Sequence, residues 1–195
     1  MSMLGLKLPT DPRWVNIVKK NIEEILTDHA YCEQKATSTA ISLIVSFPEY
    51  TELVEEMILL VKEEISHFKM VHDKIIARGW VLGRDRKDEY VIELLKFFPK
   101  GGSRTIQLVH RLLYAALIEA RSCERFRLLS ENIEDKELAD FYKNLMVSEA
   151  NHYTMFLGFA RKYGNRKEVD KKWESLLNFE AQIMKNLGKK ETIHG

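Results

Sequence analysis

Apolar side chains return every three or four positions along most of this 195-residue chain, the period of helices with one buried face. The first stripe is Ile22, Leu26, His29, Glu33, Ala36, Ala40 and Leu43. It predicts a helix that opens at Thr10 or Asp11, carries Pro12 in its first turn, and runs, with room for a bend, to about Val45. Ser46-Phe47-Pro48-Glu49 interrupts it: Ser46 and Glu49 have the spacing of a capping box, and Pro48 stops the preceding helix. A second stripe, Leu53, Met57, Leu60, Glu64, His67, Val71 and Ile75, predicts a helix over roughly 48–78, with Gly79 as its left-handed cap. A third, Leu108, Leu112, Ala115, Glu119, Ser122, Phe126 and Leu129, predicts a helix over about 104–131 behind Ser103 as cap. The fourth starts around Glu134 to Glu137, carries Leu138, Leu145, Glu149, His152, Phe156 and Phe159, and stops at Gly164. No strand is expected, so the prediction is all-α.

The pieces between are shorter. Residues 79–103 read as a long connection with exposed charges from Arg84 to Glu89 and a turn or two of helix within Tyr90 to Phe98. A last amphipathic helix over about 167–187, with Trp173, Leu176, Leu177, Phe179 and Ile183, is expected to pack outside the other four. Residues 1–9 read as a loose arm and the tail after Gly188 as frayed.

Each of the four stripes is interrupted by acid or imidazole at mid-helix, where a free charge is costly. Two interruptions are Glu-x-x-His pairs, Glu64 with His67 and Glu149 with His152, and three residues along a helix is one face. Each pair follows a lone Glu on the preceding long helix, Glu33 and Glu119, at nearly the same distance, so the chain is a weak repeat of two helical hairpins. That is the donor pattern of a two-metal carboxylate site in a four-helix bundle. The fold expected is therefore ferritin-like: two hairpins joined by a long crossover, plus a C-terminal helix, in one domain over 1–195.

Four carboxylates in an apolar interior need cations, and two divalent ions cancel their charge. Carboxylate with imidazole suits iron or manganese, and the absence of paired thiolates argues against structural zinc. In the bundle pattern Glu64 and Glu149 bridge the metals, Glu33 and Glu119 are terminal, and His67 and His152 take one metal each. A lone Glu-x-x-His on an exposed helix is commonly just a solvated pair. Four inward mid-helix positions that match one template favour metal. Glu63 and Glu124 fall off the stripes and read as surface, or as partners of the ligands. His29, one turn before Glu33, reads as a satisfied core histidine or a donor to Glu33. Cys32 and Cys123 read as small buried hydrophobes.

Composition narrows the setting. Hydrophobic residues make up 45% and charged ones 30%, and the formal net charge is +1, so no global field steers the chain toward a polyanion. The two cysteines form no Cys-x-x-Cys, which fits a reducing compartment. No signal-like segment or membrane-length apolar run is seen, so a cytoplasmic protein with no membrane partner is expected.

Around the lone carboxylates the chain resembles one family. Asp28-His29-Ala30-Tyr31-Cys32-Glu33-Gln34-Lys35-Ala36 and the stretch from Ala116 through Glu119-Ala120-Arg121-Ser122-Cys123-Glu124-Arg125-Phe126 are similar to the ligand helices of the tRNA 2-methylthio-N6-isopentenyladenosine hydroxylases, the MiaE family. Glu63-Glu64-Ile65-Ser66-His67 and Ser148-Glu149-Ala150-Asn151-His152 fit as well. The resemblance implies a non-haem diiron monooxygenase with two iron ions, manganese being the alternative, and no catalytic residues beyond the six metal ligands. Its substrate would be the isopentenyl group of the modified adenosine at position 37, in the tRNA anticodon loop. Its co-substrate would be O2, with electrons from a separate reductase. Basic clusters at Arg84, Arg86 and Lys87, at Lys100 and Arg104, and at Arg161, Lys162, Arg166, Lys167, Lys171 and Lys172 could grip phosphates. Taken without the family they read as solvated surface, since acids are interspersed. The rival readings are another diiron or dimanganese enzyme, such as a rubrerythrin-like peroxidase or ferroxidase, and a metal-free helical module that binds a partner.

Overall fold

The computed structural model describes residues 3–187 and 192–194. Among them the regular structure is helical, with no strand: α1 (Arg13–Lys19), α2 (Ile22–Ser46), α3 (Thr51–Ala77), α4 (Glu89–Leu95), α5 (Arg104–Asn132), α6 (Lys136–Tyr163) and α7 (Arg166–Asn186), after a single 3-10 turn at Met3–Gly5. Among the described residues, no helix is long and apolar enough to cross a membrane. The chain divides into two compact units. One holds residues 20–87, 192 and 193 of those described; the other holds residues 3–19, 88–187 and 194.

The smaller unit is the hairpin of α2 and α3. Leu26, Ala30, Glu33, Ala40 and Leu43 line the buried face of α2, with Ile25 taking the place expected for Ile22 and Thr37 that expected for Ala36. All seven stripe residues of α3 are buried. The turn departs from expectation. Ser46 is the last residue of α2, Tyr50 is the N-cap of α3, and no side chain caps it. Instead Phe47 and Tyr50 meet edge to face at 6.3 Å, and Phe47 N–H bonds Leu43 O at 3.0 Å. The end of α3 follows the sequence. Gly79 has φ 75°, its N–H bonds Ile76 O at 2.9 Å, and Trp80 N–H reaches back to Ile75 O at 3.2 Å, a Schellman stop.

The larger unit pairs α5 with α6, with α7 lying against α4, α5 and α6, and α1 against α5. Side chains cap its helices where the sequence offers them: Asp88 accepts from Val91 N, Ser103 from Ile106 N, Asp135 from Leu138 N and Asn165 from Glu168 N. The expected single helix from Pro12 to Val45 is broken at Lys20-Asn21. Asn21, a weak helix former, sits at φ −138°, ψ 48°. The break lets α1 bury Trp14, Val15 and Val18 in its own unit.

Gly164 ends α6, but by space rather than handedness. Its φ is an ordinary −98°, while a Cβ there would lie 2.7 Å from Val169 Cγ2, 2.9 Å from Val109 Cγ2 and 3.0 Å from Ala160 O. Gly164→Ala is expected to cost about 1–3 kcal/mol, the range for overpacking, read as a lower urea midpoint at unchanged slope.

Neither end is as loose as expected. Leu6 is buried, and Leu8 O accepts from Arg121 Nη2 at 3.0 Å. Of the expected frayed tail, residues 189–191 and 195 lie outside the described residues, but Ile193 and His194 are buried. Ile193 N–H donates to Asp28 at 2.7 Å; His194 lies 3.0 Å from Ser122 Oγ and 3.3 Å from Asp88 Oδ2, and stacks on Tyr90. These polar anchors, not an apolar stripe, hold the tail.

Candidate metal centre

In the smaller unit α2 supplies Glu33, and one face of α3 supplies Glu64 and His67. All three are at most 5% exposed. Each offers a donor atom within 4.8 Å of the other two. His67 Nδ1 lies 3.3 Å from Glu64 Oε2 and 3.7 Å from Glu33 Oε2, and the other Glu33 oxygen, Oε1, is 2.6 Å from His29 Nε2. His29, itself fully buried, is thus a hydrogen-bond partner of Glu33.

The larger unit repeats the arrangement. α5 supplies Glu119, and α6 supplies Glu149 and His152 three residues apart on its inward face. These three are buried too, and their donor atoms fall within 4.8 Å of one another. The local reason is the same in both hairpins. An apolar row turns toward the partner helix, and the carboxylate and imidazole replace apolar residues within that row.

Burial acts strongly on the smaller set. Loss of hydration, with the nearby Glu64 charge adding to it, pushes Glu33 up to about 8, although the hydrogen bond to His67 opposes the shift. For His67 burial works downward, but hydrogen bonds and charges from Glu33 and Glu64 outweigh it and push the imidazole up to about 10. Without metal, both shifts favour the protonated forms of the set. The set holds protons where it lacks another positive charge, so a divalent ion that replaces them must release them. Two carboxylates and one imidazole per set are hard and borderline donors, and they fit iron or manganese.

The remaining candidates separate clearly. Glu63 stays on the rim, half-exposed, with an oxygen 3.8 Å from His67 Nε2. Glu124 is not at the surface: it is buried and binds Thr10 and Arg121. Cys123 is buried against Met146 O, and burial pushes its thiol up to about 12, so it is held neutral. Cys32 is half-buried beside Asp28.

The sequence reading missed one feature of this region. Behind Glu119, on the same helix, Arg121 lies fully buried between Glu124 and Glu180. Its Nε and Nη2 donate to Glu180 Oε1 at 3.0 and 2.6 Å, and Tyr90 OH donates to the same oxygen at 3.2 Å. Thr10 ties in through its N–H and hydroxyl to Glu124. One turn on, the Arg125 guanidinium stacks on Trp14 at 4.0 Å, and burial pulls it down to about 9. The only sequence signal was the density of charge in Glu119 to Arg125, inside a helix that buries more than one side.

The chain matches a family model described as tRNA-(MS[2]IO[6]A)-hydroxylase (MiaE) over residues 2–195. It is 33% identical to a Pseudomonas putida protein named tRNA 2-(methylsulfanyl)-N(6)-isopentenyladenosine(37) hydroxylase, over 97% of this chain and 91% of that one. A Salmonella typhimurium protein of the same name is 28% identical, over 80% of this chain and 75% of that one. Among solved structures, a Synechococcus protein titled as having aldehyde deformylating oxygenase activity superposes with a TM-score of 0.90 at 30% identity, over 97% of this chain and 95% of that one. The all-α, ferritin-like class expected from the stripes is the class found.

Proposed function

The chain belongs to the MiaE family of tRNA hydroxylases, and on that premise we propose that it hydroxylates the isopentenyl side chain of 2-methylthio-N6-isopentenyladenosine at position 37 of tRNA. The observation that carries this reading is the pair of buried donor sets, Glu33, Glu64 and His67 with Glu119, Glu149 and His152. In this proposal the two units work as one domain over residues 1–195 and the six side chains hold two iron ions, with manganese as the alternative. Glu33, Glu64, Glu119 and Glu149 would supply the carboxylate donors, and His67 and His152 the imidazoles.

When bound, the metal pair supplies the redox chemistry that places one atom of O2 in a C–H bond and releases the other as water, consuming two electrons and two protons. The chain's own task is narrower. The apolar rows around the six donors exclude water, and the buried carboxylates hold charge only while cations balance it. Electrons come from a separate reductase. The tRNA is gripped by outward cations, and the protein works in the cytoplasm. Of the basic residues singled out in the sequence, Arg84, Lys87, Lys100, Arg104, Lys162, Arg166, Lys167 and Lys171 are exposed. Arg86 pairs with Glu24, Arg161 with Asp170, and Lys172 bonds His110, so those three are partly committed within the fold.

The test is mass spectrometry of tRNA nucleosides from cells with and without the gene. The expected result is a prenylated, methylthiolated adenosine that gains one oxygen only when the gene is present. Identical nucleoside profiles would end the proposal. The Synechococcus likeness supports a second reading, an oxygenase acting on a free aldehyde. Deformylation of an aldehyde by the purified iron-loaded protein, with no change in tRNA, would favour it. Turnover of peroxide with neither substrate would favour a peroxidase.

A further inference from the structure

Two lysines of the larger unit line a cavity. Lys100, in the turn before α5, and Lys172, on α7, border a space of about 530 Å³, and His110 reaches it from α5. We propose that this cavity is a nucleotide site: Lys100 and Lys172 hold a phosphate, and the sugar and base lie along a wall of Ile106, Val109 and Val169. His110 precedes Glu119 by nine residues on α5, about 14 Å along the helix axis. The cavity is thus apart from the donor set, and the inference stands whether or not that set holds metal.

Charge is the first reason. Lys172 follows Glu168 by four residues on α7, the spacing at which lysine ordinarily meets glutamate. Its Nζ lies instead 2.7 Å from Nε2 of His110, which is buried at 8% exposure. An ammonium can only donate, so this imidazole is the neutral acceptor. Among the described residues no carboxylate forms an ion pair with Lys100 or Lys172. The one carboxylate in the lining is the exposed Glu168, so the cavity keeps an excess of positive charge. Burial, with the Lys172 charge adding to it, pulls His110 down, and burial pulls Lys172 down as well. A bound anion offsets both. Size is the second reason. A lone phosphate fills little of 530 Å³, whereas apolar walls with a few polar groups and a volume of this order suit a whole small molecule. Ile106 is 47% exposed although apolar, so the wall has surface to offer a base. The nucleotide belongs to an RNA strand or is free; the recognition chemistry is the same.

The experiment is titration calorimetry of the full chain with adenosine 5′-monophosphate and with adenosine. The wild type is expected to bind the monophosphate at least about 10-fold more tightly than adenosine. Lys172→Gln removes one cation; it should weaken the monophosphate about 10–100-fold, as loss of a hydrogen bond to a charged group does, and leave adenosine unchanged. Lys172→Arg should restore most of the loss. Lys143→Gln, an exposed lysine of α6 outside the lining, is the control and should match the wild type. If Lys172→Gln does not fold, Ile106→Trp takes its place: it fills the cavity from the exposed wall, keeps both lysines and should block the monophosphate. A wild type that binds the monophosphate no better than adenosine overturns the inference. So does a Gln or Trp variant that binds it as the wild type does. Competition then separates the two sources. Monophosphate that displaces tRNA from the wild type assigns the cavity to a nucleotide of the RNA; monophosphate that binds without displacing tRNA assigns it to a free nucleotide. None of these readouts involves metal or turnover, so their failure leaves the hydroxylase reading to its own test.

Discussion

Glu64→Ala is expected to leave the protein with no tightly held metal and with no measurable hydroxylation of tRNA. Glu64 is 1% exposed, lies on the inward face of α3, and sits 3.3 Å from His67. As a proposed ligand it would hold metal directly, so its loss should exceed the 10–100-fold typical of residues outside the ligand set and weaken metal binding by well over about 100-fold. Elemental analysis of the purified variant, with nucleoside mass spectrometry as the second readout, checks this. Stability should move the other way. Without metal, Glu33 is pushed up to about 8 by burial, and the Glu64 carboxylate contributes to that shift. Removing Glu64 takes a buried acid from a crowded set, so the metal-free variant should resist urea at least as well as the metal-free wild type. Glu63→Ala, on the exposed rim, is the control and should keep its metal. A Glu64→Ala protein that retains two metals and full activity would remove the basis of the proposed chemistry.

Arg121→Ala should be the most damaging single change to the fold, at about 3–5 kcal/mol, the range for breaking a buried ion pair from one side. That is a large fraction of the 5–15 kcal/mol that commonly holds a domain together. The magnitude follows from what is stranded. The Arg121 guanidinium is the cation between Glu124 and Glu180, and it also donates to Thr10 Oγ1 at 3.3 Å and to Leu8 O. Its removal leaves two interior carboxylates with Arg125, which burial already pulls down to about 9, as the nearest cation in the cluster. Equilibrium urea unfolding of the variant measures the loss. The pair Arg121→Met with Glu180→Leu separates charge from space: removing both partners should recover much of it, because well-packed apolar groups replace a buried pair at little cost. A single variant within about 1 kcal/mol of wild type would mean that the cluster contributes little net stability, as exposed pairs do.

Why some of this was legible in the sequence and some was not has a physical basis. A helix that buries one face repeats on its own period, so Leu53 through Ile75 and Leu138 through Phe159 announce both the helix and the direction of its interior. Glu33, Glu64, His67, Glu119, Glu149 and His152 were visible as polar residues in rows where polar residues are costly. Arg121, Glu124 and Arg125 were not, because they lie off the stripe of α5, and off-stripe charge ordinarily means water. In α5 the neighbouring helices and the N-terminal segment cover those positions as well. The break at Asn21 and the uncapped start of α3 at Tyr50 were lost for another reason: tertiary packing overrode weak local preferences. The anchoring of Ile193 and His194 depends on Asp28, Asp88 and Ser122, partners far away in sequence, and no local pattern could name them.

The enclosed cluster around Arg121 also determines how the protein answers heat. Charged groups lose hydration free energy as water warms, so the penalty for keeping Arg121, Glu124 and Glu180 out of solvent shrinks as temperature rises. Apolar contacts gain no such advantage over that range. On warming, α5 therefore depends increasingly on its ionic interior, and a variant with an all-apolar replacement there should lose ground to the native cluster at high temperature even where the two are equal at 25 °C.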